Sequence, residues 1–394
     1  MSGKKHPWGT PPWTVDFRPA ARPVPEAVDF AIVGGGFTGL SAAAWLRRLA
    51  PQKSVIALEA SLVGEGASGR TGGLALADTA EGPLPGLGDV LAGYKKILRA
   101  LRINAGLELP GTWELGRSNP AKGSPIRWND SGDLQVVRTV PGGAVDPGKV
   151  IAGLARAAET AGAQIVEHAE VEEIEYCNPP RLKVRQKTRG RIQQKPICAG
   201  QILLATNAFS LELSELRGAT QPKLTLALAT APLTAAQLKA IGLASRHPFY
   251  TIDLPYLWGR LLKSNGVVFG AGLVPMPASI ASLFAKPGKD PQQFAASNLY
   301  RYDVRKGEAA ETFRWLEARV HQLHPVLESV RITHRWAGPI LFTEGMRPIF
   351  RRHPRSENVW FLGGYNGHGV ALSVYLGQWA AEALLGIRRL PSWS

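Results

Sequence analysis

The chain has 394 residues, 45% of them hydrophobic and 20% charged. That composition is globular, and the length suits two domains, since single cores stop growing at roughly 250–300 residues. Lys and Arg number 46 against 31 Asp and Glu, leaving a formal net charge of +15. Such a balance attracts anions: nucleic acid, a membrane surface, an acidic substrate or a cofactor pyrophosphate. Two cysteines, Cys177 and Cys198, exclude a disulfide scaffold and a structural zinc site. No apolar run reaches the roughly 18 residues of a membrane span. The basic start, residues 1–8, has no apolar core behind it, so no signal peptide is expected and the protein reads as cytoplasmic.

Residues 1–25 are rich in Pro and Trp, including Pro11, Pro12, Trp13, Pro23 and Pro25. They read as an extended arm over the body of the protein. The pattern changes at Asp29. A buried strand is predicted over 30–33, an Ala-rich helix over 40–49 and a second strand over 54–58, a unit that implies a parallel sheet. Between the first two lies Gly34-Gly-Gly36-Phe-Thr-Gly39, which matches G-x-G-x-x-G in the required strand–turn–helix context. Gly34 permits the tight turn, Gly36 lets backbone approach a pyrophosphate, and Gly39 lets helix and strand pack closely. The helix N-terminus then offers N–H groups to the phosphates. Glu59, about twenty residues on, is placed to accept from adenosine ribose hydroxyls. Position 59 does not separate FAD from NAD. The glycine-rich stretch over 61–73 around Arg70 points to an extended cofactor, because glycine costs entropy on ordering.

Further along, a helix is predicted over 149–161, stopped by Gly162. Short strands follow over 164–167, 171–176, 182–187 and 201–205, then 224–230 and 257–262. Ser264-Asn265-Gly266 turns the last of these into a partner strand over 267–270. The run Arg181-Leu-Lys-Val-Arg-Gln-Lys-Thr-Arg-Gly-Arg191 reads as a hairpin with a solvated basic face; an anionic partner such as RNA is the alternative, and the lack of interleaved aromatics disfavours it. A charged helix over 306–324, a strand over 358–362 and a closing helix over 370–385 complete the chain.

On residues 29–39 with Glu59, Gly66-Ala-Ser-Gly-Arg-Thr-Gly-Gly73, Val145-Asp-Pro147, Val171, Leu203-Leu-Ala-Thr-Asn-Ala-Phe209, Arg335-Trp-Ala-Gly338 and Gly363-Gly-Tyr-Asn-Gly-His-Gly369, the chain resembles the D-amino-acid-oxidase-like family of FAD-dependent amine oxidoreductases. The branch it looks most like holds glycine and sarcosine oxidases and gamma-glutamylputrescine oxidase. The resemblance implies an α/β fold. A discontinuous Rossmann-type FAD-binding domain (26–82, 146–228, 334–392) is joined to an α+β substrate domain with a mostly antiparallel sheet (83–145, 229–333). It also implies bound FAD and oxidation of the C–N bond of a small amine or amino acid to an imine, with oxygen or another acceptor taking the electrons.

With what the resemblance adds, the expected cofactor contacts are Gly34, Gly36, Phe37, Thr38, Gly39, Glu59, Ala60, Ser68, Arg70, Gly73, Val171, Thr206, Gly364, Gly367, His368 and Gly369. The helix start after the C-terminal glycine loop suits the flavin edge where negative charge accumulates. Candidates for substrate contact are Tyr256, Trp258, Arg260, Tyr365 and Asn366, with Arg335 and Arg347 flanking Trp336. Arg260 is the first choice for a carboxylate. No catalytic side chain and no metal are assigned, because the flavin carries the chemistry. Three departures from the family bear on function. No cysteine precedes the C-terminal glycine loop, so FAD is expected to bind non-covalently. Phe269 aligns where sarcosine-oxidase-type relatives hold a lysine over the flavin. Slow reaction with oxygen is therefore expected unless Arg70 substitutes, which leaves a dehydrogenase with another acceptor as the alternative. The connection from Leu134 to Pro147 is short, so a trimmed substrate domain with an open site is expected. An RNA-modifying flavoenzyme and a flavin-binding subunit without turnover are the remaining alternatives.

Overall fold

The computed structural model describes residues 6–188, 191–216, 218–275 and 296–393. In the first of two eight-stranded sheets, the strand Ala27–Val33 runs parallel to Val55–Leu58 on one side and to Arg191–Leu204 on the other. Gln164–Val166 extends the sheet past Val55–Leu58; Ser356–Gly363 and the antiparallel Ile349–His353 extend it past Arg191–Leu204. The chain leaves Ala27–Val33 toward one edge and later returns on its other side. Strand order therefore reverses at the carboxyl ends of Ala27–Val33 and Arg191–Leu204, and open parallel sheets bind ligands in such a crevice.

Alternation along these strands separates two cores. Phe30, Ile32, Leu203 and Leu362 face the helices Phe37–Leu49, Val90–Ala100, Pro147–Thr160 and Gly369–Leu384. Ala31, Val33, Ile202 and Leu204 face Val171, Leu182, Val184 and Ile197 of the three-stranded hairpin layer. That layer, Ala169–Glu175, Arg181–Thr188 and the start of Arg191–Leu204, is where the basic run lies. Its cations meet the acidic neighbouring strand rather than water alone: Arg181 pairs with Glu175 at 3.3 Å, Lys183 with Glu173 at 3.6 Å, and Arg185 with Glu172 at 2.6 Å and with Glu170. Exposed pairs of this kind contribute little stability, but they neutralise Arg181, Lys183 and Arg185 locally.

The second sheet runs Ile332–Thr343, Thr220–Thr230, Val267–Val274, Trp258–Leu261, Phe249–Thr251, Thr112–Gly116, Asp133–Val140, Arg127–Asn129. Its pairings are antiparallel except that between Phe249–Thr251 and Thr112–Gly116. The helix Gly307–Gln322 covers one face through Phe313, Leu316 and Val320. The other face carries Ala227, Ala229, Val268, Trp258 and Trp336, and Trp13 of the N-terminal arm packs on it.

The sheets divide the chain differently from the expected limits. Thr220–Thr230 and Ile332–Thr343 pair along their whole length inside the second sheet, although the resemblance implies a cofactor domain that includes 220–228 and 334–343. The helix Val90–Ala100, which falls in the range expected for the substrate domain, packs with the helices of the first. It had a readable signature: Asp89 caps it by accepting from Ala92 N at 2.9 Å, and Val90, Leu91, Tyr94, Ile97 and Leu98 form its buried face. The short connection before Pro147 is a strand, Gly142–Ala144, paired with Leu74–Leu76.

Candidate cofactor and active site

The first glycine turn sits in the crevice where strand order reverses. Gly34 has φ +117°, a conformation open to glycine, and a Cβ there would lie 2.7 Å from Ala205 O. A Cβ on Gly39 would run into Gly34 O, so close packing of helix on strand requires glycine there. Helix Phe37–Leu49 begins at Gly36 with no side-chain cap on it from that residue. Ser68 Oγ instead accepts from Phe37 N at 2.9 Å, across the groove. Glu59 holds the turn from the next strand, accepting from Gly35 N at 2.8 Å and from Ser61 N at 2.9 Å. Burial pushes its carboxyl above the ordinary range against these two donors. Ala60 is exposed beside it, and Val171 is buried on the hairpin layer.

A second glycine turn, residues 363–369, leads into Gly369–Leu384, again with no side-chain cap. Gly364 N donates to Asn207 Oδ1 at 2.9 Å, so the loop after Arg191–Leu204 holds this turn. Asn207 is not among the expected contacts; its left-handed φ of +48°, which asparagine tolerates, is visible only in the fold. Tyr365 OH and Thr38 Oγ1 share a buried hydrogen bond of 2.7 Å that ties the two turns together. Asn366 is buried and structural: its Oδ1 accepts from Thr343 N at 2.8 Å, and its Nδ2 donates to Gly364 O at 2.7 Å and to Thr343 Oγ1 at 2.9 Å. Tyr365 and Asn366 thus shape the loop with the groups that were expected to face substrate. His368 stands at the helix start, its N–H donating to Tyr365 O at 2.9 Å. Burial lowers its pKa, so the ring is neutral at neutral pH.

The other expected substrate contacts fall elsewhere. Tyr256 is 60% exposed and precedes the strand, while its carbonyl accepts from Arg319. Trp258 is packed between Gly72 and Gly270, where added Cβ atoms would strike its ring. Arg260 is buried, donates from Nε to Gly72 O and lies 5.5 Å from the Trp13 ring. Desolvation brings its pKa down to about 10, with Asp146 and Glu108 opposing. It braces the loop rather than facing the glycine turn. Arg335 pairs with Glu317 under the helix-covered face at 2.7 Å. Arg347 is the arginine beside the second turn: its carbonyl accepts from Thr343 Oγ1 at 2.5 Å, and its half-exposed guanidinium binds Glu81 at 2.6 Å.

Phe269 does not lie on the face that the arm covers. It pairs with Gly259 and packs against Trp128 and Phe249 on the helix-covered side. Strand alternation puts Val268 on the opposite face, with Trp13 and Trp336. Arg70 is buried too. Its Nε donates to Glu65 O at 2.9 Å and its Nη1 to Gly9 O at 3.0 Å and Ala337 O at 3.3 Å. Its charge is directed at backbone carbonyls, and burial lowers its pKa to about 10.

The residues present fit a dinucleotide. Gly34, Gly36 and Gly39 open one helix N-terminus, and Glu59 stands at the next strand end. Thr206 Oγ1, at the crevice, is buried with no hydrogen-bond partner among the described residues, an acceptor and donor left for a ligand. Comparison with known proteins agrees. A family model described as FAD dependent oxidoreductase matches residues 29–383. The chain is 26% identical to the probable oxidoreductase OrdL of Haemophilus influenzae over 92% of this chain and 84% of that protein. It is 25% identical to gamma-glutamylputrescine oxidoreductase of Escherichia coli over 91% and 84%. Among solved structures, glycine oxidase from Geobacillus kaustophilus superposes with a TM-score of 0.67 at 19% identity, covering 94% of this chain and 98% of that one. L-proline dehydrogenase from P. horikoshii gives 0.64 at 18%, covering 93% and 96%.

Proposed function

Because the chain belongs to the family of FAD-dependent oxidoreductases, we propose that it oxidises the C–N bond of a small amine or amino acid to an imine. The observation that carries this reading is the pair of glycine turns, each opening a helix whose own N-cap residue supplies no side-chain cap, bound to each other through Tyr365 and Thr38. One turn suits a pyrophosphate and the other the anionic edge of a reduced ring system. The relatives named for amines and amino acids, gamma-glutamylputrescine oxidoreductase and glycine oxidase, support the substrate class.

When bound, FAD supplies two-electron acceptance from the carbon that bears the nitrogen. The chain's own residues then have to position and exclude. Gly36, Phe37, Thr38 and Ser68 line the pyrophosphate end, Glu59 the ribose, and residues 364–369 the ring. Neutral His368 adds no positive charge beside the amine, which must lose its proton to react. Arg347 is the cation next to the second turn and is suited to a substrate carboxylate, with Glu81 as the partner it exchanges. Neither thiol stands at either glycine turn. Cys198 lies six residues before Leu204 on its strand, about 20 Å at roughly 3.3 Å per residue, and Cys177 lies on the adjoining turn. This spacing supports a non-covalent FAD. Both thiols are free, which fits a reducing, cytoplasmic setting.

The test is anaerobic addition of amines and amino acids to the yellow enzyme. Bleaching by a substrate with a C–H bond next to nitrogen supports the reading. If dithionite bleaches the flavin and every such amine fails, the reading is wrong.

A further inference from the structure

The cofactor loop is held from outside by the N-terminal arm. Residues 6–13 thread between the loop 61–73 and the strand Ile332–Thr343. Trp8 is wholly buried; its Nε1 donates to Leu299 O at 3.2 Å, and its ring stacks on Tyr300 at 4.6 Å. Ala337 N donates to Trp8 O at 2.8 Å, and Val304 N to Pro7 O at 2.8 Å. Three of the loop's carbonyls are engaged on this side. Glu65 O accepts from Arg70, Gly69 O from Trp13 Nε1 at 2.7 Å, and Arg70 O from Trp336 Nε1 at 2.8 Å. The Arg70 guanidinium also lies 5.6 Å from the Trp8 ring while binding Gly9 O.

This same loop carries Ser68, whose Oγ lies 2.9 Å from Phe37 N across the phosphate groove. Ser68 thus stands at the groove that would take a dinucleotide, and it belongs to the segment whose Gly69 and Arg70 carbonyls are held by Trp13 and Trp336. We propose that residues 6–13 form a strap that gates FAD exchange, with Trp8 and Trp13 as its anchors. The strap retains a non-covalent cofactor by blocking its path rather than by touching it. This inference rests on the family's cofactor and is independent of the substrate proposed above.

A gate and a contact differ kinetically. Losing a contact raises koff and leaves kon nearly unchanged, the usual pattern for altered affinity. Loosening a gate raises both. The experiment measures FAD release from holoenzyme by flavin fluorescence and FAD uptake by apoprotein in stopped flow. The proteins are wild type, Trp8→Ala, Trp13→Ala and Trp8→Phe. Trp8→Ala and Trp13→Ala are expected to raise koff and kon together, each by about tenfold or more, with Kd changing less. Trp8→Phe keeps the ring stack, loses the donor to Leu299 O and falls between. A rise in koff alone, or no change in either rate, overturns the proposal. If the alanine variants do not fold, a protease site placed in the exposed stretch 20–22 is cut in the holoenzyme and the freed N-terminal peptide is separated from it. Faster FAD release after cleavage supports the strap; unchanged release refutes it.

Discussion

Replacing Tyr365 with Phe removes one buried hydrogen bond and leaves the rest of the ring in place. The bond is 2.7 Å long between Tyr365 OH and Thr38 Oγ1, both residues are under a tenth exposed, and burial raises the phenol's pKa, so it stays protonated. After Tyr365→Phe the Thr38 hydroxyl is left without its partner in an apolar setting, which costs about 1–3 kcal/mol. Thr38→Val strands the phenol in the same way at a similar cost. The double variant removes both polar groups, and such paired replacement is close to neutral. A double-mutant cycle on the apoprotein, read by urea unfolding, is therefore expected to show a coupling energy of at least about 2 kcal/mol, the sum of the two single costs. Because the bond ties the two glycine turns, each single variant also weakens FAD by roughly tenfold, the factor equal to about 1.4 kcal/mol. Additive single effects in the cycle, or unchanged FAD affinity in both single variants, refute the claim that this bond joins two halves of one site.

Gly36→Val is expected to abolish FAD binding in a folded protein, since a Cβ there lies 2.9 Å from Ser68 Oγ at the mouth of the phosphate groove; a spectrum with bound flavin would contradict this. Arg260→Lys is expected to leave KM for carboxylate substrates unchanged, because the guanidinium faces Gly72 O and Trp13, whereas Arg347→Lys raises KM more than it lowers kcat; the reverse ranking in steady-state kinetics would restore Arg260 to the site. Burial lowers the pKa of His6 to about 4 and lowers those of His334, His353 and His368. The unfolded chain thus binds more protons than the folded one below pH about 6.5, so stability is full above that value and falls as pH drops toward the folded pKa values; thermal unfolding followed from pH 8 to 5 checks the sign. Photoreduced enzyme is expected to reoxidise slowly in air, with Arg70→Lys no faster or slower, because the Arg70 guanidinium is bound to backbone carbonyls; rapid reoxidation would show another source of charge.

The sequence by itself determined the nucleotide-binding unit and the class of cofactor. Glycines at 34, 36 and 39, a short apolar strand before them and an acid at 59 are local features, and each constrains the backbone within a few residues of itself. The second glycine turn was legible for the same reason. What only the tertiary structure decided was the direction of side chains whose roles depend on distant neighbours. Arg260, Arg70 and Asn366 all looked available for ligands, yet each satisfies backbone groups far away in the chain, because a buried polar side chain takes whatever partner the packing supplies. Phe269 differed for a related reason: a one-residue shift along a strand reverses the face, and the face is known only when both partner strands are in register. The arm was readable as extended, but proline and tryptophan content could not show that Trp8 and Trp13 lock the cofactor loop. That follows from contacts across hundreds of residues, which no local pattern encodes.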